Sequence, residues 1–436
     1  IVRELKPVAY QEVDKQQVEV ACEFKIENGV VSFNFPNGYD KNKELIIDPT
    51  WEFSTLTGSS SDNWGFTATY DKDGAFYGGG VVFGGAIGFN TGDYNGTASY
   101  PTTGGAYQTS FGGHVDVAIT KFSSDGTSLI YSTYLGGSET EEPHSLVCDS
   151  SNNLIILGAV GSTDFPTTAG AIQTSHGGGN SLNNFDGIDW DNGSDIFVAK
   201  LNAAGNTLMA STYLGGSRND GLSLDGQLNY NYGDHARGEV IIDASDNIYI
   251  TSVTNSTNFP TTPSSHDQTG GGGTNYDAVT CKLNPTLTNL DWGTYLGGAG
   301  SEAGYSVRVD EVNNKTFICG GTESSGLATA GVIDNSYAGG VDGYIAKFDN
   351  ANGTLDAFTY LGNGSYNQAF ILEIDEDQDV FVYGQTIGAY PIVNAVYSQA
   401  NGAQFIHKMD NDLSTTFFST TFGSGNSGSG CNWRCY

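Results

Sequence analysis

The sequence predicts an all-β protein, a β-propeller of four-stranded antiparallel blades, and three observations carry that prediction. The first is a phrase that recurs six times. Ser132–Gly137 and Ser211–Gly216 read Ser-Thr-Tyr-Leu-Gly-Gly, Gly293–Gly298 and Thr359–Gly362 are close copies, and Ser54–Gly58 and Ser419–Gly423 are weaker ones. Anchored on Thr55, Thr133, Thr212, Thr294, Thr359 and Thr420, the steps are 78, 79, 82, 65 and 61 residues, the mark of one supersecondary unit used repeatedly. The second is composition: 61 glycines in 436 residues, about twice ordinary usage, beside 12% aromatics and 38% hydrophobics. That describes many short strands and turns rather than a disordered tract. The third is the pattern inside each unit, four short apolar runs separated by Asp, Asn and Gly turns.

Taken in order, Val18–Lys25, Val30–Phe35 and Glu44–Ile47 read as strands, so residues 1–50 form the end of a β-rich module or a degenerate blade. The repeats fill residues 51–423. In the second unit, Ser145-Leu-Val-Cys148 and Leu154–Gly158 make a hairpin around an Asp149…Asn153 turn. Ser162-Thr-Asp-Phe-Pro-Thr-Thr168 is kept out of a ladder by its proline. Asp195–Leu201 alternates as a third strand, and Thr207–Leu214 is the fourth. A blade has two apolar faces and buries both by stacking on its neighbours. A β-solenoid needs a shorter period, and the alternation opposes helical repeats. The units exceed the usual 40–50 residues per blade, and the excess falls around Gly78–Gly113, Gly177–Gly193 and Leu222–Arg237. Five units are complete, and with outer-strand copies at both ends the expected blade number is six or seven. Residues 424–436 are a Gly/Ser-rich segment with Cys431 and Cys435, close enough for a small disulfide loop. Cys22, Cys148, Cys281 and Cys319 lie in strand-like runs and are expected as buried thiols.

Together, the Phe-Pro-Thr-Thr step, the Asp-x-Phe-Val-Ala-Lys strand at Asp195–Lys200 and the Ser-Thr-Tyr-Leu-Gly-Gly strand resemble the SBBP (seven-bladed β-propeller) repeat, over about Trp51 to Gly423. The resemblance implies a large secreted surface protein of the kind found in gliding Gram-negative bacteria with type IX secretion. It also implies a β-rich module before the repeats and adhesive or sorting domains after them. The implied role is a non-enzymatic structural or adhesion module, part of a longer polypeptide, that meets other cell-surface proteins or glycans.

The 49 acidic and 17 basic residues give a net charge of −32, a field that repels nucleic acid and anionic lipid. No apolar run reaches the roughly 18 residues of a membrane helix. The chain begins at Ile1 without methionine, as a mature or internal segment would. Four aspartates around glycine, Asp186, Asp189, Asp191 and Asp195, form a candidate calcium loop, although their order is not that of an EF-hand. Trp190, Tyr230 and Tyr232 lie in the inserted loops and are candidate sugar-stacking rings. A lysine recurs on each third strand, at Lys121, Lys200, Lys282, Lys347 and Lys408, and is expected to serve the repeat by pairing with a carboxylate or carbonyl. Catalytic elbows, HExxH and phosphate loops are absent from the sequence, so no catalytic residue is assigned. A hydrolase or lyase would require His144, His235, Arg237 and an acidic group to converge at one mouth of the propeller.

Overall fold

The computed structural model describes residues 7–13, 16–27, 30–48, 56–84, 99–185, 187–231, 233–270 and 275–423. The chain divides into two compact units, residues 1–56 with 125–127, and residues 57–124 with 128–436.

In the first unit Val8–Val13 is the middle strand of a three-stranded antiparallel sheet, between Gln16–Val20 and Ile46–Asp48. Glu23–Glu27 pairs with Val30–Asn34 in a hairpin. The expected strand Val18–Lys25 is therefore two strands, broken at Ala21 and Cys22. Val8–Val13 escapes a hydrophobicity reading because the residues it buries are Ala9 and Gln11. The Gln11 amide holds a turn, donating to the Asp40 carbonyl at 2.7 Å and accepting the Asp40 N–H at 2.9 Å.

The second unit contains, among the described residues, five four-stranded antiparallel sheets, each with its strands in chain order. Blade 1 is Asn63–Tyr70, Phe76–Phe83, Val115–Phe122 and Leu129–Leu135. Blade 2 is Glu141–Cys148, Leu154–Val160, Asp195–Leu201 and Leu208–Leu214. Blade 3 is Glu239–Ile242, Ile248–Thr254, Asp277–Leu283 and Leu290–Leu296. Blade 4 is Glu302–Asp310, Lys315–Thr322, Asp342–Asp349 and Leu355–Leu361, and blade 5 is Asn367–Ile374, Val380–Thr386, Gln404–Met409 and Thr416–Phe422. The first strand of each blade packs across the preceding blade, and first strands of successive blades lie side by side. This is a β-propeller. Its core lies in the seams: Ile119, Tyr131 and Leu135 of blade 1 meet Leu154, Ile156 and Phe197 of blade 2, and the other seams repeat the arrangement. Each such buried side chain contributes about 1.5–3 kcal/mol.

Gly78 to Phe83, expected in a loop, belong to a strand. A Cβ on Gly80 would collide with the Trp64 carbonyl, so glycine is what lets the first two strands approach here. Of the first copy of the phrase, Ser54–Gly58, residues 54 and 55 lie outside the described residues, as do Cys431 and Cys435. Cys22, Cys281 and Cys319 are buried free thiols, and Cys148 is half-buried.

The repeated phrase has a physical explanation. Its threonine hydroxyl donates to a carbonyl of the loop before the third strand: Thr133 to Gln108, Thr212 to Gln173, Thr294 to Asp267 and Thr359 to Asp334, at 3.1, 3.2, 3.0 and 3.3 Å. Its tyrosine hydroxyl reaches the loop after the second strand, Tyr213 to the Ser162 carbonyl, Tyr295 to Ser256 and Tyr360 to Ser324, at 2.8, 2.8 and 2.9 Å. Its leucine enters the seam. Its first glycine leaves space for carboxyl groups that a Cβ would displace, two at Gly136, Gly215 and Gly297 and that of Asp342 at Gly362.

Candidate functional site

The inner strands are built with one extra residue. In blades 1, 2, 4 and 5 the pairing of first and second strands slips between Gly65 and Thr67, Pro143 and Ser145, Gly304 and Ser306, and Ala369 and Ile371. A bulge re-aims one side chain, and the four bulged residues are Phe66, His144, Tyr305 and Phe370. In blade 3 the same point of the strand opens into the insertion 222–238. Asp220 bridges Thr254 where the strand should begin, and pairing resumes only at Glu239.

The two inserted segments pack against these bulged residues. The hairpin Leu182–Phe185 and Ile188–Trp190 packs through Leu182, Ile188 and Trp190 against Val81, Phe83 and Val115 of blade 1, with Trp64 and Phe66 beside them. Leu228 of the third-unit insertion is fully buried with Val253, Tyr305 and Val341, beside Tyr366 and Phe370. A 3-10 turn at Asp234–Ala236 follows, and the His235 ring meets the edge of Phe185 at 4.9 Å between centroids.

Polar groups close around this apolar contact. Arg237 Nε donates to Asp234 Oδ1 at 2.7 Å, and its guanidinium lies over Phe370 at 4.7 Å and Tyr305 at 5.9 Å. Asn231 donates to Asp234 and to Gln385 Oε1, both near 2.9 Å or closer. Burial pushes the Asp234 carboxyl up, against the opposing pull of Arg237 and Asn231. Desolvation, with His235 nearby, drives His144 down to about 3, so its imidazole is neutral at physiological pH. The Tyr230 ring is 44% exposed and packs on Tyr366 at 4.3 Å. Tyr366 in turn donates to Gln368, whose amide donates to the Leu228 carbonyl at 3.0 Å.

The expected site residues scatter. Trp190 is only 1% exposed and cannot offer a face to a sugar; it is the anchor of its hairpin. Tyr230 stands at the surface, whereas Tyr232 and Asp186 lie outside the described residues. Asp189 turns its carboxylate to the Asn184 N–H within the hairpin, and its carbonyl accepts from Thr140 at 2.7 Å. Asp195 is buried in the blade and accepts the Gly177 N–H at 2.6 Å, so it belongs to the repeat and not to a calcium loop. Asp191 is separate, near His114 and Glu139, where the His114 Nδ1 to Glu139 Oε2 contact is 3.1 Å. In a further acidic group, Asp375, Asp377 and Asp379, Lys408 pairs with two of the three, 2.8 Å from Asp375 and 2.9 Å from Asp379. Neither group is assigned a metal.

Three of the five repeated lysines hold the turn between the first two strands of their own blade. Lys121 pairs with Asp71 at 2.9 Å, Lys200 with Asp149 at 2.7 Å and Lys408 with Asp375 at 2.8 Å. Lys347 reaches forward to Asn411 and Asp412, and Lys282 lies 5.3 Å over the Tyr249 ring. A groove of about 470 Å³ over blade 1, lined by Phe66, Gly78, Gly80, Tyr100 and Ala118, occupies the face that later blades fill with residues such as Ile156 and Phe197. Its lining is that of a blade-packing surface.

Sequence reasoning missed Tyr305, Tyr366, Gln368 and Gln385. Tyr305 is a bulged residue of blade 4, whereas Tyr366, Gln368 and Gln385 belong to blade 5, where Gln368 and Gln385 stand opposite one another in the ladder. No helix among the described residues is long and apolar enough to cross a membrane.

Comparison with known proteins gives a match to one family model, a domain of unknown function (DUF7948), over residues 1–50. No curated protein matches the chain. Among solved structures, a protein of unknown function from Dyadobacter fermentans is similar at 9% identity and a TM-score of 0.40, over 86% of this chain and 90% of that one. A mutant of the NanB sialidase from Streptococcus pneumoniae is similar at 8% identity and a TM-score of 0.40, over 86% of this chain and 63% of the sialidase. An ulvan lyase of polysaccharide lyase family PL25 follows at 9% and 0.37, over 86% and 72%. None of these likenesses is close enough to carry an argument about activity.

Proposed function

We propose that the chain is an extracellular or cell-surface β-propeller that binds without catalysing, presenting its third-unit insertion to a glycan or a surface protein. The observation that carries this reading is Tyr230, a half-exposed ring held on Tyr366 beside the amides of Asn231 and Gln385. A flat apolar face rimmed by fixed amides is what sugar and peptide surfaces use. Extracellular placement rests on the resemblance of the repeat phrase. The test is a glycan and surface-protein array probed with the wild-type chain and with Tyr230→Ser. The expected result is retention on a defined set of spots that falls at least tenfold in the variant. Equal retention by both proteins moves the site elsewhere. Repeating the array with calcium and with EDTA reads the lectin-like form of the proposal, in which retention needs the cation.

A hydrolase or lyase is the second reading, favoured by the approach of His144 to His235 beside the Asp234–Arg237 pair. Against it, the Asp234 carboxylate is already engaged by Arg237 and Asn231.

A further inference from the structure

Three of the four seams between successive blades bring two buried carboxyl side chains from different repeats against one glycine. Asp116 meets Glu141 at Gly136, Asp195 meets Asp220 at Gly215 and Asp277 meets Glu302 at Gly297; in the fourth seam Asp342 lies against Gly362, and the buried residue at the position of Glu302 is Asn367. A Cβ on Gly136 would lie 2.6 Å from Asp116 Oδ1 and 2.6 Å from Glu141 Oε2. On Gly215 it would lie 2.5 Å from Asp195 Oδ1 and 2.8 Å from Asp220 Oδ2. The paired carboxyls thus face the same few ångströms of space, away from water.

The hydrogen-bond partners of Asp116, Glu141, Asp195, Asp220 and Glu302 are mainly backbone N–H and hydroxyl donors, with no lysine or arginine of the described residues among them. Gly137, Gly216 and Gly298 give their N–H groups to Glu141, Asp220 and Glu302 at 2.8, 2.6 and 2.9 Å. Thr254 and Ser256 donate to Asp220, and Thr322 donates to Glu302 at 2.6 Å. Asp116 accepts from Gly112, and Asp195 from Gly177. The Asp195 Oδ1 atom has no hydrogen-bond partner. The charged groups around the pairs are themselves acidic: Asp164 near Asp116, Glu323 near Glu302, and Asp334 near Asp342. Tyr134, Tyr213, Tyr276, Tyr295, Tyr337 and Tyr360 also face them, all with raised pKa values. His176 lies 4.0 Å from Asp195 Oδ1, and burial lowers its own pKa.

Two adjacent carboxylates cannot both ionise without a compensating cation. The fourth seam shows how the repeat resolves this. Asn367 stands where the others have an acid, and Thr386 donates to its Oδ1 at 2.8 Å as Thr322 does to Glu302. A neutral amide there is the isostere of a protonated carboxyl. We propose that the seams joining blades 1 and 2, 2 and 3, and 3 and 4 each bind one proton shared between two carboxyl groups, so that the blade stack tightens on acidification and loosens as pH rises past neutrality.

The electrostatics agree. Desolvation raises Asp116 to about 7, and desolvation with the charge of Asp220 raises Asp195 to about 8. Desolvation also raises Asp220 to about 7 and pushes Glu141 and Glu302 up. In the fourth seam, where Asn367 replaces the second acid, desolvation raises Asp342 only to about 6, with the Ala338 N–H opposing it. Because the folded values exceed the ordinary carboxyl value of about 4, the stabilisation is complete below that pH and is lost as pH climbs through about 7 to 8.

The test is thermal unfolding of the full chain between about pH 4.5 and 8.5, for the wild type and for a Glu141→Gln, Asp220→Asn, Glu302→Gln triple variant. The expected wild-type Tm falls by several degrees across this range, and the variant's curve is flatter and lies above the wild type at the alkaline end. Should the triple variant fail to fold, Asp220→Asn alone gives a smaller change in the same direction. Parallel curves overturn the proposal. So does a wild type stabilised at alkaline pH by calcium, and destabilised by EDTA, with no such response in the variant; that result would make the bridging species a metal ion.

Discussion

At the scale of single residues, Lys200 and Asp149 show what the recurring lysine does. The two are 2.7 Å apart and both more than nine-tenths buried, and Asp149 also accepts the N–H groups of Ser151 and Asn153. Burial pulls the Asp149 carboxyl upward, but its bonds to Lys200 and Asn153 outweigh this and hold it below the ordinary range. Its share of stability is therefore present above about pH 4 and is lost as pH falls through the lower folded value, the reverse of the seam acids. Lys200→Met leaves that carboxylate buried and unpaired, and the expected loss is about 3–5 kcal/mol in urea unfolding. Lys282→Met removes a cation over an aromatic ring and should cost about 1 kcal/mol. Equal losses at the two positions would contradict this account of the lysine.

At the scale of elements, the insertions are core before they are surface. Trp190 closes the apolar contact between its own hairpin and blade 1. Trp190→Ala should therefore destabilise by about 3–5 kcal/mol through the cavity it leaves, while Tyr230→Ser should stay within about 0.5 kcal/mol because its ring stands at the surface. Denaturant titration of both variants checks the pair, and a small effect at Trp190 would return it to the surface.

The strands were legible in the sequence because each repeat carries its own turn residues. Blade 2 was read from Ser145, Leu154, Asp195 and Thr207, and its strands run Glu141–Cys148, Leu154–Val160, Asp195–Leu201 and Leu208–Leu214. The aromatic content of the insertions was legible too, but its burial was not, since a loop's packing partners lie in other repeats. The seam acids did leave a signal. Glu141, Asp220 and Glu302 each follow the second glycine of the phrase by four residues, and Asn367 follows Asn363 by the same interval. The bulges at Phe66, His144, Tyr305 and Phe370 left none, because a single extra residue does not disturb the apolar pattern of so short a strand.

At the scale of the whole molecule, the net charge of −32 and the acid pairs between blades act together. Surface repulsion and deprotonation of the seams both grow with pH, so the stack is held most firmly in mildly acidic solution. The propeller positions an aromatic and amide surface at the third-unit insertion, and sets its bulged His144 and the insertion's buried His235 in low-dielectric surroundings. Binding without turnover is the central claim about this arrangement. The most direct measurement is affinity electrophoresis of the full chain through gels containing soluble polysaccharides, with assay of the same mixtures for new reducing ends and unsaturated uronates. The account predicts retardation by a subset of the polymers with no new chain ends. New ends that disappear in His144→Ala would contradict it and establish catalysis at the histidine pair.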